Sequence, residues 1–191
     1  MKTLLSFVLL CAACSGLASA QGTMPMMLVS SAAASADTTF ITSQTLGTLR
    51  SNYDGCVGMK ITVGGSSITV TQLGRWVVSG NSATHTLKIL ASDGTVVVSA
   101  SINTSGLTAA QFNYVVITST VLSASTSYYI VSTEANGGDQ WYNNDTAITH
   151  TAAATVPNSA HVATVCNSSG DTPVDDTGTD LAYVPMSFKY H

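Results

Sequence analysis

Apolar and polar residues alternate with period two along most of this chain, and Gly, Asp, Asn or Ser interrupts the alternation about every ten residues. Val57, Met59, Ile61 and Val63 alternate with Gly58, Lys60 and Thr62, and Gly64-Gly65 turns the chain into Ile68-Thr69-Val70. His85, Leu87 and Ile89 share a parity, Ser92-Asp93-Gly94 makes a hairpin turn, and Val96, Val98, Ala100 and Ile102 return. Further strands are expected over Phe112 to Ile117, Ser127 to Thr133, Gln140 to Asn143, Ala147 to Val156, Ala160 to Val165 and Leu181 to Tyr190, with Pro185 marking an edge or bulge in the last. No window holds a helical period over three turns. About ten short strands in one domain predict an all-β fold, a two-sheet antiparallel sandwich of jelly-roll type.

The pattern fails at the start of the chain. Met1-Lys2 is followed by an apolar run from Leu4 to Ala13, and small residues close on Ala18-Ser19-Ala20, which reads as a signal peptide over residues 1–20 cleaved before Gln21. Cys11-Ala12-Ala13-Cys14 offers a lipoprotein signal as the alternative, although Cys11 stands where a branched apolar residue belongs. The expected destination is outside the cell or on its surface. No later run reaches the ~18 apolar residues of a membrane span.

Residues 21–37 read as a separate N-terminal segment, an apolar strip Thr23-Met24-Pro25-Met26-Met27-Leu28-Val29 followed by a small-residue tether, ahead of a sandwich domain over 38–191. Met24, Met26 and Leu28 fall on one face of an extended strand. An uncharged apolar strip in a secreted protein is an edge-pairing hazard unless it is buried. It can fold onto its own sandwich, or complete the sheet of a neighbouring copy across a tether whose eight residues reach at most ~28 Å.

Charged residues make up 8% of the chain and the formal net charge is −4, which argues against nucleic acid or anionic lipid as partner and leaves little repulsion between copies. Cleavage leaves two cysteines, Cys56 and Cys166, for which a single disulfide is expected; buried free thiols or intermolecular links are the alternatives.

Candidate chemistry is sparse. No Gly-x-Ser-x-Gly nucleophile turn occurs, and the single Glu, Glu134, with Asp139 five residues on, is read as part of a surface loop rather than a glycosidase pair. No catalytic residue is assigned. His85 is expected to face the core and bond a neighbouring strand, while His150, His161 and His191 show no ligand spacing. Asp171, Asp175, Asp176 and Asp180 lie in the densest acidic stretch, a solvated loop or a weak calcium site; no other cofactor is expected. Trp141, Tyr142 and Trp76 are either core aromatics or flat surfaces for stacking sugars, with one of Trp141 and Tyr142 pointing outward. Asn103, Asn144 and Asn167 head glycosylation sequons.

The stretches Gly55 to Val63, Val70-Thr71-Gln72-Leu73-Gly74-Arg75-Trp76, Gly80-Asn81-Ser82-Ala83-Thr84-His85-Thr86, Tyr128-Tyr129-Ile130-Val131-Ser132 and Gly137-Gly138-Asp139-Gln140-Trp141-Tyr142 resemble a secreted bacterial β-sandwich module of unknown function. The likeness runs from about Thr39 to Tyr190. It implies the sandwich and an extracellular setting, at the end of a large surface protein or alone behind a signal peptide. An aromatic is expected at position 56, so a Cys56–Cys166 bond would be an adaptation of this member. Two functions follow as expectations: a self-assembling fibre or surface-layer subunit joined by N-terminal strand addition, or a carbohydrate-binding or adhesion module.

Overall fold

The computed structural model describes residues 36–163, 166, 171–176 and 178–191. The signal peptide, the assembly strip Met24, Met26 and Leu28, and Asn167 lie outside the described residues. Within them the chain forms strands β1 (Thr38–Thr39), β2 (Ile41–Thr45), β3 (Leu49–Arg50), β4 (Gly55–Val63), β5 (Ile68–Val77), β6 (Thr84–Ala91), β7 (Val96–Asn103), β8 (Gln111–Leu122), β9 (Ser127–Glu134), β10 (Trp141–His150), β11 (Ala154–Val162), β12 (Val174–Asp175), β13 (Leu181–Val184) and β14 (Met186–Tyr190). No helix of the described residues is long and apolar enough to cross a membrane.

All the pairings are antiparallel, and those of the central strands are nested: β6 pairs β7, β5 pairs β8, and β4 pairs β9. One sheet runs β12-β11-β4-β9-β6-β7; facing it are a sheet β1-β14-β5-β8 and a smaller one in which β10 pairs β13, β2 and β3. This is the expected sandwich, wrapped as a jelly roll wraps a folded ribbon.

The core lies between these layers. Met59, Ile61, Leu87, Ile89 and Ile130 from the six-stranded sheet meet Leu73, Met186 and Phe188 on one side and Trp141, Ile148 and Val184 on the other, all buried. Each large aliphatic side chain removed from water in this way contributes about 1.5–3 kcal/mol. The other parity of the six-stranded sheet is also covered: Cys56, Leu90, Tyr129, Val131, Ala160, Val162 and Cys166 form a second apolar cluster. The Cys56–Cys166 disulfide, with Cα atoms 6.1 Å apart, staples the chain after β11 onto that outer face. Lys88 is buried beneath it and donates to the carbonyl of Cys166. Burial pulls its ammonium below the usual lysine range, with Asp171 opposing.

Turn chemistry explains the β6–β7 hairpin. Gly94 has φ +84°, Asp93 Oδ1 accepts from the Thr95 N–H at 2.9 Å, and a Cβ on Gly94 would come within 2.5 Å of the Asp171 carbonyl.

Several strand boundaries differ from the alternation. The expected strand from Ala147 to Val156 is broken after His150, because partners distant in sequence make the reversal: Thr151 N–H donates to Phe40 O at 2.9 Å, and Tyr190 hydroxyl to Thr151 Oγ1 at 2.8 Å. Gln140 to Asn143 and Ala147 onward merge into β10, which keeps its course through a register shift between Tyr142 and Thr146. Ala154 to Val162 is continuous, with a second shift between Thr155 and Asn158 around Pro157, which has no N–H to pair. Pro185 separates β13 from β14 and marks where the chain changes sheet.

Candidate functional site

Three places stand out: an open sheet edge, a cavity beside Trp141, and a buried charge network. Among the described residues β8 ends its sheet, paired with β5 on one side only. Its sequence, QFNYVVITSTVL, has no charge, proline or glycine, the residues that usually blunt an edge. Val116 and Val121 are 75% and 62% exposed. β7, which ends the facing sheet, is equally uncharged and exposes Val96 and Val97. Pairing of β8 with β5 is regular from Gln111 opposite Val77 to Val116 opposite Gln72, and shifts register beyond it. The regular stretch is therefore as long as the segment Met24 to Val29. On the opposite edge of the same sheet lies β1, where the described chain begins.

The cavity, about 190 Å³, is built from segments far apart in sequence. β3 and β10 pair so that Arg50 lies opposite Trp141, placing the guanidinium carbon 5.2 Å from the centre of the indole ring. Tyr183 on β13 meets Trp141 edge-on at 5.8 Å, and Tyr53 meets His161 edge-on at 6.1 Å. Arg50 is fixed by Nε to Asn52 Oδ1 at 2.9 Å and Nη1 to Asn143 Oδ1 at 2.7 Å, leaving the rest of its fork without a protein partner among the described residues. His161 Nδ1 is 3.0 Å from Asp176 Oδ2. Burial, then Asp176, pushes the phenols of Tyr53 and Tyr183 above the usual tyrosine range, so both remain neutral donors.

The third place corrects the surface-loop reading of Glu134, while Asp139 lies in the loop between β9 and β10 as expected. Glu134 ends β9 inside the protein and forms a two-armed pair with Arg75 of β5, itself fully buried. Burial raises the Glu134 carboxyl above the ordinary range, against the pull of Arg75 and His85. His85 faces inward, as its parity predicts, with Nδ1 2.7 Å from Thr133 O and Nε2 3.0 Å from Asp139 Oδ2. Burial alone would raise the Asp139 pKa too. Hydrogen bonds from His85, Ser82 N–H, the Thr104 hydroxyl and Ala83 N–H instead hold it at about 2. A cavity of about 150 Å³ borders His85, Glu134 and Asp139. Both carboxylates are committed to these ties, which pin the loop before β6 and the end of β7 to the loop before β10; the arrangement is a brace.

The remaining candidates are dispersed. Trp141 is 1% exposed, and its indole N–H has no partner among the described residues; Tyr142 is half-buried. Trp141 is the inward member of the pair and enters the candidate site as a cavity wall, while Tyr142 is the more exposed of the two. Trp76, half-buried, packs edge-on to Phe112 at 5.3 Å. Asp175 binds Lys60 and Tyr129, each at 2.7 Å, Asp176 binds His161, and Asp180 binds His150 at 3.0 Å. Among the described residues no group of three or more His, Cys, Asp or Glu is placed to hold a metal ion. Asn103 is exposed, whereas the Asn144 sequon places its Thr146 hydroxyl in the interior, accepting from Gly47 N–H at 3.1 Å. No family model matches the chain, and no curated protein matches it.

Proposed function

We propose that this protein is a non-catalytic extracellular structural subunit that polymerises head to tail, the apolar strip Met24 to Val29 of one copy adding as a strand to the β8 edge of the next. The observation that carries the reading is the open β8 edge, regular from Gln111 to Val116, uncharged, and bearing exposed Val116 and Val121. A strand edge without lysine or proline over its regular stretch is suited to pairing, and the same chain supplies an apolar strand of matching length. A donated N-terminal strand on one copy and an acceptor β8 edge on the next are different surfaces. A contact of that kind propagates into an open filament or a ring. Burial of Met24, Met26 and Leu28 at about 1.5–3 kcal/mol each, with main-chain hydrogen bonds, offsets the ordering of the tether. The disulfide fits an oxidising compartment.

Sedimentation velocity and negative-stain microscopy of the secreted protein test this. Wild type is expected as fibres or large closed assemblies, and the double variant Met26→Asp, Leu28→Asp as a folded monomer. Wild-type protein that stays monomeric at high concentration would overturn the reading.

A further inference from the structure

Independently of assembly, the cavity walled by Arg50, Tyr53, Trp141, His161, Asp176 and Tyr183 has the chemistry of a small ligand site. Its volume, about 190 Å³, is about six water molecules' share of liquid. That is the scale of one sugar ring, below the ~300 Å³ and more of sites for larger ligands. Three aromatic side chains line it, two of them, Tyr183 and Trp141, buried. Such walls favour the C–H faces of a ring.

The polar groups select further. Arg50 offers the unpaired part of its fork as donors. Asp176 Oδ2, 3.0 Å from His161 Nδ1, accepts from that nitrogen, and in the neutral imidazole this makes Nε2 an acceptor. A site that presents donors and an acceptor side by side matches hydroxyl groups, each of which donates and accepts. An anion needs donors alone. The Asp176 carboxylate in the wall also offsets the charge of Arg50 and repels a second carboxylate.

We infer that this cavity binds one neutral pyranose residue of a glycan, with Arg50 and His161 reading its hydroxyl groups and the aromatic walls holding the ring. Occupancy gives the surface of each subunit a sugar-specific contact, whether or not the copies polymerise.

The test uses the chain with Trp76→Phe, which leaves Trp141 as the sole tryptophan, titrated with methyl glucoside, methyl galactoside, methyl mannoside, N-acetylglucosamine and glucuronic acid. At least one neutral sugar should change Trp141 emission saturably at millimolar concentration, and Arg50→Met or His161→Phe should weaken that binding about tenfold or more, the loss expected when a hydrogen bond to a charged or buried partner goes. Since Arg50 also packs on Trp141, His161→Phe carries the comparison if Arg50→Met fails to melt cooperatively. No saturable change with any neutral sugar, unchanged affinity in a folded His161→Phe, or tighter binding of glucuronic acid than of every neutral sugar would each overturn the inference.

Discussion

β4 and β8 are both strands of small, β-branched and aromatic or apolar residues, and they end in opposite states. β4 is paired on both sides, by β9 and β11, and is covered on both faces, by the main core and by the cluster under the disulfide. β8 is paired on one side and leaves Val116 and Val121 to solvent. Both are rich in valine and isoleucine, and β4 in fact carries the charge, Lys60, that β8 lacks; their place in the nested ribbon decides which is buried. Around β4 the backbone is paired on both edges and Lys60 is tied to Asp175, and such a region stabilises the subunit. Along β8 no strand among the described residues pairs with the side away from β5. The comparison sharpens if damage near β4 and β9 shows up as lost stability, and damage along β8 as lost association.

The largest effect is expected at the buried charge pair. Arg75→Met strips Glu134 of its two-armed partner inside the protein and should lower unfolding free energy by about 3–5 kcal/mol, measured by urea denaturation. A change below 1 kcal/mol would mean that Glu134 takes up a proton at little cost and that the brace is dispensable. Next is the staple. Cys56→Ser with Cys166→Ser opens a loop of 110 residues and should remove about 2–5 kcal/mol while leaving assembly of the still-folded fraction intact. Loss of assembly at temperatures where the variant is folded would connect the two regions that the topology keeps apart.

Asp139 supplies a smaller effect with a defined pH signature. Its pKa is depressed in the folded protein to about 2, so its contribution is complete above the unfolded value near 3.8 and is lost as pH falls from about 4 to about 2. Asp139→Asn should cost about 1–3 kcal/mol at neutral pH and flatten the acid limb of the stability curve across that window. An acid limb identical to wild type would assign the sensitivity to other carboxylates.

What could be read in the sequence was local. The period-two runs and the Ser92-Asp93-Gly94 turn predicted the sandwich, because a strand's alternation and a turn's φ preference are carried by adjacent residues. The break after His150 was invisible, since Phe40 and Tyr190 make it from far away. Glu134 looked like a loop acid because the residue that neutralises it, Arg75, lies 59 positions earlier. The cover on the outer face of β4 and β6 has the same kind of origin: a segment more than 70 residues downstream of Lys88 packs on that face. Trp141 was legible as an aromatic of interest, but its direction was not, as Tyr142 beside it fits the same strand equally well. The other walls of its cavity come from β3, β4, β11, β13 and the loop segments beside them, a constellation with no linear spacing to find.

The smallest effect on stability is expected where the effect on association is greatest. Val116 and Val121 are mostly exposed in the subunit, so Val116→Lys with Val121→Lys removes few buried contacts and should shift unfolding free energy by no more than about 0.5 kcal/mol. The same lysines put two charges on the strand proposed to accept a neighbour, where they would have to be desolvated beside an incoming backbone. A protein carrying them keeps its own Met24 to Val29 strip and loses only the acceptor, while a chain lacking residues 21–36 keeps the acceptor and loses only the donor. Each alone should sediment as a monomer, and an equimolar mixture should give a discrete heterodimer and no longer species, because one copy can only donate and the other can only accept. Continued polymerisation of the lysine variant would place the acceptor elsewhere, with the β7 edge and its exposed Val96 and Val97 as the next surface to charge.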